Sequence, residues 1–247
     1  MPVIAVLVTG DPITPVCKLT PDFSTLVREV AADIDVAWVD IDIRECEAIP
    51  YPAEFAACII TGSPHSVTEH APWIRLAEDY LRHARQTETP LFGICFGHQL
   101  MASAFGGKVA INPRGREMGT SVAEPLNSPP EGWPEHALDV LMSHRDTVIE
   151  APSAARVVLR TQREPHAALC YAKLCCSTQF HPEFTPEILR CYIEHYREQL
   201  TAQGDNVDSL LAQVRETPEA RQLLRTFVEA ALERARGLKP DSVLAAQ

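Results

Sequence analysis

The apolar positions of this chain fall into two textures that meet near residue 107. Before it, short continuous hydrophobic runs alternate with longer stretches spaced at three and four. Val3 to Val8 is wholly apolar and stops at Thr9-Gly10-Asp11-Pro12, the pattern of a central parallel strand and its loop. Asp22 to Ala32 places Phe23, Leu26, Val27 and Val30 at helical spacing. Asp35 to Val39 reads as a second strand and Ala57 to Ile60 as a third, ended by Thr61-Gly62-Ser63-Pro64. Trp73 to Arg85, introduced by Pro72, is an amphipathic helix with Trp73, Leu76, Ala77, Tyr80 and Leu81 on one side. This order predicts a doubly wound α/β unit with right-handed crossovers.

After Gly107 the runs shorten and turns crowd in. Val109 to Ile111, Thr120 to Ala123, Leu138 to Met142, Thr147 to Ile149, Arg156 to Leu159 and Ala167 to Leu174 are strand-like pieces broken by Pro and Gly. They predict antiparallel strands mixed into the sheet. Cys175 to Phe180 is a last apolar run, followed by His181-Pro182-Glu183 and a helix from Pro186 to about Gln199. From Thr201 onward the chain is rich in Ala, Arg and Glu. Leu210, Leu211 and Val214, then Leu223, Leu224, Phe227, Val228 and Leu232, predict two docked helices with a frayed end.

Between the two textures, Pro90 to Gly107 sets one cysteine between a strand and a helix. Leu91, Phe92 and Ile94 form the strand, Gly93 and Gly97 flank Cys95, and Leu100 to Phe105 continue as a helix closed by Gly106. A G-x-C-x-G turn exposes its central side chain at the top of a sheet, because glycines on both sides let neighbouring backbone approach closely. The sulfur also stands at a helix N-terminus, where unpaired N–H groups and the helix dipole favour a thiolate. A lone cysteine is usually a small buried hydrophobe; the strand, both glycines and the helix together mark Cys95 as a nucleophile.

Composition narrows the setting. The 247 residues suffice for one α/β domain with an appendage, and 46% hydrophobic with 22% charged residues is ordinary for a globular protein. A net charge of −11 with no basic cluster argues against nucleic acid or an anionic membrane as partner. No apolar run approaches a membrane span, and Val3 to Val8 is too short and lacks the basic lead of a signal peptide. The eight cysteines contain no C-x-x-C pair and several lie in apolar segments, so a reducing, cytoplasmic location is expected. No Cys–His combination has metal-ligand spacing, and neither a metal nor a cofactor is expected. Arg114-Gly115-Arg116 reads as a solvated turn more readily than as an anion site, with contact to a partner's acidic face as the alternative.

A thiolate nucleophile needs a base, and the base needs an orienting partner. His181 and Glu183 are two apart on an extended segment and project to one face, with Pro182 ending the strand's pairing between them. His98 and His144 are weaker candidates, each without a carboxylate two residues away that would orient it. Donors for an oxyanion are available from the Phe96 N–H at the helix start and from the Gly62-Ser63 loop.

Gly-Ile-Cys-Phe-Gly-His-Gln-Leu at 93–100, Thr-Gly-Ser-Pro at 61–64, Met-Ser-His-Arg-Asp at 142–146 and Gln-Phe-His-Pro-Glu at 179–183 together resemble the class I glutamine amidotransferases. The likeness is greatest to stand-alone members akin to the glutaminase domain of GMP synthase, and it spans about residues 3 to 195. It implies a flavodoxin-like doubly wound mixed sheet with an elbow cysteine, attack of that cysteine on a glutamine side-chain amide, a γ-glutamyl thioester and release of ammonia. Carried over by position, Cys95 is the nucleophile, His181 the base and then acid, and Glu183 its orienter. Gln99 and the Ser143-His144 backbone would hold the amino and carboxylate ends of glutamine. The expected organisation is an amidotransferase domain over 1–200 and a helical C-terminal extension over 201–247.

The chain carries no G-x-x-x-x-G-K phosphate loop, so a complete synthetase is not expected and the ammonia would pass to a separate synthase or acceptor subunit. Phe96 rather than His after Cys95 argues against cysteine-elbow hydrolases of the DJ-1/PfpI type. Two other functions fit the same residues. One is a γ-glutamyl peptidase acting on glutathione-like conjugates; the other is a non-catalytic module that keeps the fold, against which the intact Cys95, His181 and Glu183 count.

Overall fold

The computed structural model describes residues 1–46, 48–126 and 129–237. Strands β1 (Val3–Val8), β2 (Ala37–Asp42), β3 (Ala57–Ile60) and β4 (Leu91–Ile94) alternate with helices α1 (Phe23–Val30), α2 (Pro72–Gln86) and α3 (Phe96–Ala104). Then come β5 (Lys108–Ile111), β6 (Glu117–Pro125), β7 (Leu138–His144), β8 (Asp146–Glu150), β9 (Arg156–Arg160), β10 (Ala168–Ala172) and β11 (Cys175–Thr178). Helices α4 (Pro186–His195), α5 (Arg197–Ala202), α6 (Val207–Gln213) and α7 (Pro218–Ala235) complete the described chain.

Nine strands form one sheet in the order β2-β1-β3-β4-β11-β10-β9-β6-β7, and β5 and β8 make a separate pair. Pairing is parallel from β2 through β4 to β11 and antiparallel from there to β7. The mixed doubly wound sheet expected from the sequence is therefore present. Its decisive feature is β11, which returns from the antiparallel half to lie parallel to β4, pairing Thr178 with Ile94. Both strands end at the same edge, so whatever follows β11 emerges beside whatever follows β4.

Alternation along the buried strands divides the core. Ile4, Val6, Phe92 and Ile94 pack with Val27 of α1 and with Leu224, Phe227 and Val228 of α7. Ala5, Leu7 and Leu91 face the other way, onto Tyr80 and Leu81 of α2 and Leu100 and Met101 of α3. Each such large side chain removed from water contributes about 1.5–3 kcal/mol. A third cluster joins Phe184, Ile188 and Leu189 to Leu141 and Met118, seating α4 over the antiparallel half. Asp22 caps α1 by accepting the Thr25 N–H at 2.7 Å, and Thr185 caps α4 ahead of Pro186.

Several boundaries differ from the sequence pattern. The second strand runs Ala37–Asp42 instead of stopping at Val39, because it pairs with β1 out to Val8↔Asp42 at the sheet edge. There Asp40 accepts from Ser24 and pairs with Arg28, and Asp42 pairs with Arg44, so polar residues extend a strand that hydropathy ends early. The run Ala167–Leu174 splits at a tight turn, and its successor ends at Thr178 rather than Phe180. The helix from Pro186 breaks at Tyr196, whose ψ of 16° makes it both the end of α4 and the start of α5. Of the two helices expected after Thr201, α6 and α7 are present; the expected frayed end lies outside the described residues. Among the described residues no helix is long and apolar enough to cross a membrane.

Candidate active site

Cys95 occupies the turn between β4 and α3 with φ 51° and ψ −97°, in the region that side-chain-bearing residues seldom adopt. Close packing on both sides enforces that turn. A Cβ on Gly93 would lie 2.6 Å from the Gly97 carbonyl oxygen, and one on Gly97 would lie 2.5 Å from the Ile60 carbonyl oxygen. Backbone bonds hold the turn as well: the Cys95 N–H donates to Thr178 O at 2.8 Å and the Gly97 N–H to Thr61 O at 3.2 Å. The residue is 7% exposed and opens onto a cavity of about 280 Å³.

The segment leaving β11 brings the expected base. His181 and Glu183 are buried, and His181 Nδ1 lies 2.8 Å from Glu183 Oε1, which leaves Nε2 for the cysteine. The ring is fixed from two more sides. Its backbone N–H donates to Leu141 O of β7 at 2.9 Å, and Phe184 stacks on it with centroids 3.9 Å apart. Phe184 is in turn stacked between Phe23 and Tyr192. Burial, the largest influence, pulls the imidazole down, but the Glu183 carboxylate and a hydrogen bond and charge interaction with Cys95 outweigh it and raise it to about 10. Glu183 Oε2 is buried with no hydrogen-bond partner, so the carboxylate's charge is directed at the histidine.

The Thr61–Ser63 loop closes the site from above β3. A Cβ on Gly62 would sit 3.1 Å from His181 Cε1 and 3.8 Å from Cys95 Cβ, so only glycine lets this loop reach the pair without displacing the ring. Thr9 anchors the loop by donating its hydroxyl to Gly62 O at 3.0 Å, and Ser63 Oγ donates to Thr9 O at 2.7 Å. Ser63 lines the cavity, but its hydroxyl is engaged in the loop, leaving backbone as the donor it has to offer. Phe96 begins α3, where a first-turn N–H has no intrahelical acceptor.

Cys95 thus meets His181 and Glu183 from 86 and 88 residues away along the chain. The sequence profile of the family "Glutamine amidotransferase class-I" matches residues 23–193. The chain belongs to that family. A glutamine amidotransferase-like protein of Schizosaccharomyces pombe is 26% identical over 143 residues, covering 57% of this chain and 58% of that protein. The glutamine-hydrolysing GMP synthase of Aeromonas salmonicida is 37% identical over 140 residues, covering 51% of this chain and 25% of the synthase. The chain thus spans well under two thirds of either relative. A crystallised glutamine amidotransferase of Thermotoga maritima shares the fold with a TM-score of 0.70 at 21% identity, covering 95% of this chain and 97% of that one.

In this member of the family the remaining expected site residues are placed unequally. Gln99 lines the cavity, but its Nε2 already donates to Asp146 O at 2.7 Å and Gln179 Oε1 at 3.0 Å, so only its Oε1 is unused. Ser143 lines the cavity, and its carbonyl accepts from the Cys95 thiol at 3.7 Å. The His144 ring is committed to Asp146 O at 3.0 Å and to Glu117 at 3.2 Å, deep in a buried polar network that includes Glu164. His144 also lines the cavity, but both of its ring nitrogens are engaged in that network. His98 is fully buried, held by Ser177 Oγ at 2.9 Å and pushed by burial down to about 3, so it stays neutral.

Two residues escaped the sequence reasoning. Gln179 donates its amide to Cys95 Sγ at 3.5 Å and accepts from Gln99, tying Cys95 to α3; the Gln-Phe-His-Pro-Glu motif contained it without assigning a role. Arg116 corrects the reading of Arg114-Gly115-Arg116 as a solvated turn. Arg114 is exposed, but Arg116 is half-buried, lines the cavity and lies 3.9 Å above the Tyr196 ring. Burial lowers its guanidinium below the ordinary arginine value. Among the described residues, no group of three or more His, Cys, Asp or Glu side chains is arranged to hold a metal ion.

Proposed function

We propose that this amidotransferase hydrolyses the side-chain amide of glutamine through Cys95, His181 and Glu183. The observation that carries the reading is the coincidence, in one cavity, of a strained elbow cysteine with a buried histidine whose second nitrogen is held by a carboxylate. With His181 raised to about 10 and already carrying the thiol proton on Nε2, Cys95 Sγ attacks the amide carbon. Charge developing on the amide oxygen is met by the Phe96 N–H and by the Gly62-Ser63 backbone; one such donor is worth about 3 kcal/mol of barrier. The imidazolium then protonates the departing nitrogen, the C–N bond breaks, and ammonia leaves a γ-glutamyl thioester. Water, deprotonated by the same imidazole, cleaves the thioester to glutamate and restores the thiol.

Glu183 keeps the imidazole in the tautomer that presents Nε2 and stabilises its cationic form. Because the Aeromonas relative is a glutamine-hydrolysing GMP synthase of which this chain spans a quarter, the ammonia is proposed to serve a separate acceptor protein. Residues 1–200 would carry the hydrolysis, with 201–247 as a supporting helical extension. The test is ammonia release from L-glutamine by the purified chain, alone and with Cys95→Ala. Activity should vanish in the variant while its thermal transition stays within about a kcal/mol of the parent. Undiminished turnover by Cys95→Ala would overturn the assignment.

A further inference from the structure

Arg116 presents an unanswered charge to the cavity that holds Cys95. Among the described residues its guanidinium forms no ion pair with a carboxylate, and it lies 3.9 Å above the face of Tyr196. The neighbouring Arg145, by contrast, is already neutralised by Asp146 at 2.9 Å. A half-buried guanidinium resting on an aromatic ring keeps its planar fork of donors free at the edge, the geometry that takes a carboxylate through two parallel hydrogen bonds. Its surroundings hold it there. The Arg116 N–H donates to Gln203 Oε1 at 3.1 Å, and its carbonyl accepts from Gln203 Nε2 at 2.7 Å and from Arg163 at 3.0 Å. Arg163 is braced in turn by Asp205 at 3.3 Å.

We propose that Arg116 is the anion subsite of this cavity and receives the α-carboxylate of the glutamyl substrate, and that the segment from Tyr196 to Asp205 exists in part to hold it. The inference rests on the glutamine-hydrolysing reading above. It assigns to residues just beyond α4 a substrate-orienting task. With the carboxylate at Arg116 and the side-chain amide at Cys95, an L-glutamyl group is gripped at both ends. An amide that lacks the α-carboxylate would leave this half-buried guanidinium unpaired.

The test uses two alkylating probes of nearly equal size, iodoacetate and iodoacetamide, with labelling of Cys95 followed by peptide mass spectrometry. The ratio of iodoacetate to iodoacetamide rates should fall roughly 10- to 100-fold in Arg116→Gln, the range for losing hydrogen bonds to a charged group. Arg116→Lys should retain part of the preference, and Gln203→Ala, which leaves the guanidinium intact, should lose part of it. In turnover, the KM for L-glutamine should rise by a similar factor in Arg116→Gln, with the KM for L-glutaminamide unchanged. A ratio unchanged in both Arg116→Gln and Gln203→Ala overturns the subsite. So does a KM change confined to γ-glutamyl amino acids, which would put the anion on the leaving group. If the parent chain does not hydrolyse glutamine but the alkylation ratio still falls, the hydrolytic reading fails and the anion site stands.

Discussion

Replacing Glu183 by Gln alters the charge of the proposed catalytic pair while preserving its shape, and the structure sets the size of the effect. In the folded chain His181 is raised from 6.5 to about 10, against burial and chiefly by Glu183 and Cys95. At about 1.4 kcal/mol per pH unit, that displacement is worth at most about 5 kcal/mol of folding stability. The sign follows from which state holds the proton. Below pH 6.5 the imidazole is charged in both the folded and unfolded chain, and the full stabilisation is present. Between 6.5 and about 10 only the folded chain keeps the proton, so stability declines as pH rises, and above 10 the contribution is gone.

With Gln at 183, the carboxylate no longer offsets burial, and most of this decline should disappear. Denaturant unfolding at pH 6.5, 8 and 9.5 should show the parent losing several kcal/mol relative to Glu183→Gln, with the two curves converging at the alkaline end. Glutamine turnover by the variant should drop roughly 10²-fold or more with KM little changed, as expected when an acid–base group loses its proper state. Parallel stability curves across that range would refute the claim that the carboxylate sustains a protonated His181.

Gly97→Ala should cost about 1–3 kcal/mol and reduce turnover, because its Cβ would press within 2.5 Å of the Ile60 carbonyl oxygen and shift the elbow; an unchanged melting temperature and kcat would speak against that packing. His98→Gln should lower stability through loss of the Ser177 contact, yet leave the pH profile of turnover where it was, since the ring is neutral throughout; a displaced profile would give His98 a chemical role. A glutamine-analogue chloroketone should modify Cys95 alone among the eight cysteines, and mass spectrometric label on Cys175 or Cys176, both buried away from the cavity, would contradict a uniquely placed thiol.

The local pattern of the chain decides the parts of this site that are close in sequence. Alternation and helical spacing place the strand, the elbow and α3 around Cys95, and the two-residue separation of His181 and Glu183 is enough to put them on one face. The glycines at 93 and 97 announce close backbone approach without saying what approaches, which proves to be Gly97 itself and Ile60 of the neighbouring strand. Hydropathy reads the buried strands well and the edge strand poorly, since Asp40 and Asp42 satisfy their charges with Arg28 and Arg44 across the surface.

Pairing of distant strands lies beyond periodicity. That β11 lies beside β4, and so delivers His181 to Cys95, depends on sheet order, which is set by the summed packing of helices on both faces. The same limit explains the arginine. Arg114-Gly115-Arg116 is a polar, glycine-containing turn by every local criterion, and only the folding of Tyr196 and Gln203 against it turns one of its two side chains into the cavity. Gln99 shows the reverse: its helix position is legible in the chain, but its amide nitrogen is committed to Asp146 and Gln179 by contacts that span 47 and 80 residues. Sequence alone determined that this protein has an elbow cysteine and a histidine–carboxylate pair. The tertiary structure decided that they meet and which residues surround them, because those contacts arise from segments whose separation along the chain leaves no periodic trace.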